Sequence, residues 1–156
     1  MKSFYRKVNL IMSDNRTILF NDNWFFKLLP IDSGYDTAVA QDISEPVEIP
    51  HDWLIFNTND LYASGEGWYK KVFTIENKGD LIYSIDFDGV YTDSSVYVNG
   101  EKAGDWHYGY SSFSFDITSL LKDGENVILV QVRHKAPNSR WYSGAGIYRN
   151  VYLTKV

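Results

Sequence analysis

Val96-Tyr97-Val98-Asn99-Gly100-Glu101 is the stretch from which the fold is read. Two valines flank a tyrosine, Asn-Gly follows, and a return run extends to about His107. Side chains two apart share one face of a strand. Asn and Gly both tolerate positive φ, so Asn-Gly between β-prone runs predicts a two-residue hairpin.

The same period of two continues outward in both directions. Upstream, Leu81, Tyr83, Ile85 and Phe87 alternate with Ile82, Ser84, Asp86 and Asp88. Downstream, Phe113, Phe115 and Ile117 alternate with Ser112, Ser114 and Asp116, and one helical turn is expected over 116–121. Asn126–His134 sets Val127, Leu129 and Gln131 on one face and Ile128, Val130 and Val132 on the other, so it reads as a central strand covered on both sides. Asn23–Leu29, Trp68–Ile75 and Gly146–Val156 read as further strands. Gly65-Glu66-Gly67 reads as a loop before Trp68, and Asp32–Ser44 as a long loop. No long window carries an apolar stripe of period 3.6. Eight or more short strands with regular turns predict an all-β, galactose-binding-domain-like jelly roll, a β-sandwich of two antiparallel sheets.

With 156 residues and no cysteine, the chain suits one domain with a core that needs no disulfide or zinc–thiolate staple. Fifteen Lys+Arg against twenty Asp+Glu leave a formal charge of −5. That argues against nucleic acid or an anionic membrane as the main partner, because such binding runs on clustered cations. Five Trp, twelve Tyr and nine Phe make up 17% of the chain, a composition that suits pleated surfaces and stacking platforms for sugar rings. Residues 1–16 carry Lys2, Arg6 and Lys7 before an apolar run that Asn9 breaks, too short for a secretory signal. They read as a leader to a sandwich over 17–156, and a cytoplasmic location is the expectation.

Self-contained chemistry is not legible. His51, His107 and His134 form no metal-ligand pair, and no Gly-x-Ser-x-Gly elbow occurs. Gly65-Glu66-Gly67 leads into a strand, so it has no helix N-terminus with which to hold phosphate. Asp86 and Asp88 share a strand face. Such a pair can serve glycoside chemistry or hold calcium, but the full calcium-loop spacing is missing and a solvated strand end is the simpler reading. No cofactor is evident, and a structural calcium is without support.

Four segments resemble the N-terminal sugar-binding domain of glycoside hydrolase family 2, the family of β-galactosidases, β-glucuronidases and β-mannosidases. They are Val47-Glu48-Ile49-Pro50-His51-Asp52-Trp53; Gly67-Trp68-Tyr69-Lys70-Lys71-Val72-Phe73; the run from Phe87-Asp88-Gly89-Val90 through Val96–Gly100 to Phe115-Asp116-Ile117-Thr118; and Ser139-Arg140-Trp141-Tyr142-Ser143-Gly144-Ala145-Gly146-Ile147-Tyr148-Arg149. Their order and spacing match the family over about residues 17–156.

The resemblance implies a retaining glycosidase whose two catalytic glutamates lie on a separate (β/α)₈ barrel, which takes about 250 residues. The chain has no room for one, so no catalytic residue is expected in it. Its expected partners are a carbohydrate substrate and, in a parent that is an oligomer candidate, a further β-sandwich and the barrel. In the family an Asp shortly before the final Gly-Ile-aromatic-Arg often reaches the sugar, and Arg140 stands there in this chain, a donor in place of an acceptor. Arg140, Tyr142 and Glu66, the last in the loop before the Trp-Tyr strand, are the candidate substrate-binding residues. Trp141 and Tyr142 also suit core or interface. Arg149 suits a partly buried pairing with a carboxylate such as Asp116 or Asp88. A free-standing carbohydrate-binding module and a purely structural domain are the competing readings. β-Galactosidase is the favoured parent.

Overall fold

The computed structural model describes residues 10–11, 16–54, 64–135 and 144–156. Its strands are β1 (Leu10–Ile11), β2 (Thr17–Leu19), β3 (Trp24–Leu29), β4 (Glu45–Val47), β5 (Gly65–Ile75), β6 (Tyr83–Phe87), β7 (Asp93–Val98), β8 (Glu101–Trp106), β9 (Phe113–Asp116), β10 (Gly124–His134) and β11 (Val151–Lys155). A short helix, α1, spans Gly34–Val39, and a 3₁₀ turn spans Thr118–Leu120.

The larger sheet runs β4-β3-β5-β10-β7-β8, and the smaller runs β2-β11-β6-β9. Every pairing is antiparallel except β1, which lies parallel to the end of β5 with Leu10 opposite Thr74. The two-layer antiparallel sandwich expected from the period-two alternation is therefore present. The hairpin falls at Asn99-Gly100, whose φ values are 51° and 86°, and it joins β7 to β8.

Alternation builds the core. Trp24 and Phe26 of β3, Tyr69 and Phe73 of β5, and Ile128, Val130 and Val132 of β10 face Tyr83, Ile85 and Phe87 of β6 and Val151 and Leu153 of β11. All are buried. Aromatic rings supply much of the fill: Phe87 stacks on Phe113 at 5.0 Å, and Phe113 on Trp106 at 5.3 Å.

β10 is central, as expected, and its outer face is covered as well. Leu129 packs there in a second apolar cluster with Trp68, Leu29, Ala38 and Ile43. This cluster corrects the reading of Asp32–Ser44 as loop. Six residues are too few for a helix to hold alone. Ala38, fully buried, and Tyr35, its ring tilted against that of Tyr97 at 4.4 Å, anchor α1 on the outer face of the larger sheet.

Two strand boundaries also differ from the sequence reading. β5 begins at Gly65 rather than Trp68, because Gly67 leaves room for the rings of Trp53 and Phe26, which would lie 2.4 and 2.9 Å from an added Cβ. β11 begins at Val151 rather than Gly146, because Gly146 holds φ at +133° and makes only an isolated bridge to Tyr91.

Candidate functional site

On β10 the outward positions run Val127, Leu129, Gln131, Arg133, changing from apolar to polar as the strand leaves the shelter of α1. The antiparallel register sets Arg133 opposite Glu66 of β5 and Asp93 of β7. Ser95 stands opposite Asp105 of β8. These side chains line a cavity of about 470 Å³ on the outer face of the larger sheet, at the end where β5 begins and β10 finishes. Asp32 and Gly34, at the start of α1, and Lys102 and His107, from β8 and just beyond it, complete its walls.

Glu66 is the most constrained group there, its side chain only 1% exposed. Its Oε1 accepts from Gln131 Nε2 at 2.9 Å, Trp68 Nε1 at 3.0 Å and the Gly34 amide at 3.1 Å. Among the described residues its Oε2 has no hydrogen-bond donor. Arg133 Nε stands 3.9 Å from Oε2, outside hydrogen-bonding range, while its terminal Nη2 donates to Asp32.

The other titratable side chains of the lining have partners. Lys102 Nζ lies 2.8 Å from Asp105 Oδ1, and His107 Nδ1 lies 3.1 Å from Asp93 Oδ1. Partial burial alone would raise the Asp105 carboxyl, but the hydrogen bonds from Lys102 and Ser95 outweigh it and hold the group below the usual range. The Lys102 ammonium is correspondingly pushed up by its bond to Asp105. The result is a polar cavity with donors and acceptors interleaved and every cation matched to a carboxylate. Such a lining suits neutral hydroxyl groups better than an anion or a bare cation. Among the described residues no group of three or more side chains is placed to hold a metal ion.

Of the residues expected at a site, Glu66 is here, in a strand rather than a loop, with its carboxylate turned into the structure. Arg140 and Tyr142 lie outside the described residues, as does Trp141. Arg149 corrects the expectation of a partly buried ion pair. It is exposed, its guanidinium carbon sits 5.5 Å from the Tyr148 ring centroid, and among the described residues no carboxylate pairs with it. Asp86 accepts from Ser84, Ser114 and Thr154, all of its own sheet. His51 bonds Tyr69 Oη at 2.7 Å, His107 is exposed and His134 is buried.

Sequence reasoning missed Arg133, Gln131, Asp32, Asp93 and Asp105. For Gln131 and Arg133 the signal was present, in the change from apolar to polar along one face of β10. For Asp32 there was none, because its position depends on a turn at φ 66° and on a partner 101 residues away.

Residues 7–156 match the family model of the sugar binding domain of glycosyl hydrolases family 2. Among curated relatives, the beta-galactosidase BoGH2A of Bacteroides ovatus is 42% identical over 150 residues, covering 87% of this chain and 18% of that protein. A putative beta-glucuronidase of Formosa agariphila is 37% identical over 151 residues, covering 88% of this chain and 14% of that protein. Among solved structures, a glycosyl hydrolase family 2 member from Bacteroides cellulosilyticus superposes with a TM-score of 0.79 at 32% identity, over 91% of this chain and 21% of that one. A Bacteroides uniformis beta-glucuronidase does so with a TM-score of 0.76 at 28% identity, over 90% and 18%. The chain spans about a fifth or less of the length of these relatives.

Proposed function

The chain belongs to the sugar-binding domain family of the family 2 glycosyl hydrolases, and on that footing we propose that it is the non-catalytic first domain of a retaining β-galactosidase, helping to shape the substrate pocket of a longer polypeptide. The observation that carries this reading is the 42% identity to a beta-galactosidase along nearly the whole chain, which is less than a fifth of that protein. A second relative bearing that name, from Thermoanaerobacter pseudethanolicus, is 36% identical over 151 residues. In this reading the bond-breaking glutamates sit on a barrel domain elsewhere in the polypeptide. This chain supplies a two-sheet scaffold and, in Glu66, Arg140 and Tyr142, contacts to the substrate.

The relatives named beta-glucuronidase support a parent acting on uronides instead. Assay of the parent on nitrophenyl β-galactoside and β-glucuronide decides between the two. The expected result is preference for the galactoside, no turnover by the 156-residue chain alone, and a lowered kcat/KM on Arg140→Ala in the parent. Preference for the glucuronide overturns the galactosidase assignment. Turnover by the chain alone, abolished by replacing one of its own carboxylates, overturns the non-catalytic role.

A further inference from the structure

Asn99-Gly100, the single Asn-Gly dipeptide of the sequence, joins β7 to β8, the last strand of the larger sheet. The dipeptide carries a chemical liability as well as a turn preference. The Gly100 nitrogen, unshielded because glycine has no side chain, can attack the side-chain carbonyl carbon of Asn99, Cγ. An N–Cγ bond forms, the Cγ–Nδ2 bond breaks, and the Gly100 proton passes through water to Nδ2, which leaves as ammonia. The product is a five-membered succinimide. Water adds to either of its carbonyls and opens the ring, giving aspartate or isoaspartate, whose main chain runs through the former side-chain carbon. Water is the only co-reactant, and nothing is oxidised or reduced.

In the folded chain geometry, not burial, blocks that reaction. Gly100 is exposed, so water reaches it. Asn99 Nδ2, however, donates to the Leu120 carbonyl and to Asn126 Oδ1, each at 2.8 Å, and Asn99 Oδ1 accepts from the Val127 amide at 2.9 Å. Both ends of the side-chain amide are tied, and Cγ cannot swing over the Gly100 nitrogen without giving up these bonds. The receiving side is equally fixed. Asn126 Nδ2 is spent on the Lys122 and Gly124 carbonyls, and its Oδ1 also accepts from the Lys122 amide. An aspartate at position 99 would set an oxygen where Nδ2 stood, facing two acceptors with no hydrogen to give them. Isoaspartate would lengthen a two-residue hairpin by one main-chain carbon, against the register that sets Val98 opposite Glu101. We propose that Asn99-Gly100 is a spontaneous modification site gated by folding: the native hairpin holds it closed, opening of the hairpin lets it cyclise, and the product cannot rebuild the native turn.

The test incubates the full chain in mildly alkaline buffer with and without guanidinium chloride. Peptide mapping follows position 99, reading the mass gained when NH₂ gives way to OH and separating the aspartyl from the isoaspartyl product. Folded domains leave roughly 10⁻³ to 10⁻⁶ of their molecules unfolded, and local opening of an outer hairpin adds to that fraction. The expected result is therefore conversion in denaturant and at least tenfold slower conversion in buffer alone. Chain converted in denaturant and returned to buffer should unfold at a lower guanidinium concentration than unconverted chain. Asn99→Asp, the aspartyl product made directly, should do the same or fail to fold. No conversion at Asn99 in denaturant, equal rates in the two solutions, or a converted chain as stable as the unconverted one would each overturn the proposal.

Discussion

Glu66 and Arg133 face one another across β5 and β10, and their closest charged atoms are separated by 3.9 Å while every other polar contact of the carboxylate goes to Oε1. The carboxylate is therefore a structural hub before it is anything else. Glu66→Ala would strand the buried Trp68 indole N–H and Gln131 amide and the part-buried Gly34 amide. Each buried unpaired donor costs about 1–3 kcal/mol, so a loss of roughly 3 kcal/mol or more is expected in urea unfolding. Glu66→Gln, which keeps an acceptor at Oε1, should lose less. Equal stability of Glu66→Ala and the parent sequence would show that these three donors do not depend on it.

Gly146 sits where two segments touch. A Cβ there would lie 2.5 Å from the His51 carbonyl oxygen and 2.6 Å from Tyr69 Oη, and φ is +133°. Gly146→Ala should cost about 3 kcal/mol or more through steric conflict and backbone strain together. It should also disturb the 2.7 Å bond between His51 and Tyr69, visible in the His51 ring resonances. A melting temperature within a degree or so of the parent's would refute this placement.

Lys71 lies on the core face of β5, buried, with its ammonium donating to the Asp22 carbonyl and lying 4.2 Å over the Phe20 ring. Burial pushes it down to about 8 from its ordinary 10.5, partly opposed by Asp22. Below pH 8 both folded and unfolded chains hold the proton, and the full penalty of roughly 3 kcal/mol for burying the charge applies. Between pH 8 and 10.5 the unfolded chain binds more protons than the folded one. In that window this residue's contribution makes stability rise with pH. Lys71→Met should remove that rise, so urea midpoints of the two proteins should converge from pH 7 toward pH 10.5. A constant difference across the range would mean that Lys71 does not titrate there.

Asn99 combines turn geometry with a half-buried network. At φ 51° it donates to the Leu120 carbonyl and to Asn126 Oδ1, each at 2.8 Å, and it accepts from the Val127 amide at 2.9 Å. Asn99→Ala loses both the bonds and the tolerance for positive φ, and about 2–4 kcal/mol is expected. Asn99→Gly loses only the bonds and should be about 1 kcal/mol the milder. Identical losses in the two variants would assign the whole effect to the side chain.

The hairpin, the central strand β10 and the two-sheet sandwich were legible because each rests on local rules. The Asn-Gly dipeptide tolerates positive φ at adjacent positions, and alternation of Ile128, Val130 and Val132 with their neighbours sorts side chains onto two faces wherever the strand lies. Helix α1 was not legible. Nothing in Gly34–Val39 favours a helix by itself, and only the apolar patch of Trp68 and Leu129 beneath Ala38 makes one worthwhile. The start of β5 was obscured for a related reason: Gly65 and Gly67 are poor strand residues alone, and they become suitable when Trp53 and Phe26 need the space.

By itself, then, the sequence determined the all-β class, the turn positions and the family, since those depend on residue type and spacing along the chain. Only the tertiary structure decided that Glu66 is buried, that Arg133 is its neighbour and that Asp32, 101 residues from Arg133, closes the same cavity. Those facts depend on which strand lies beside which and in what register. Register is set by packing summed over whole sheets, a quantity no single stretch of chain contains.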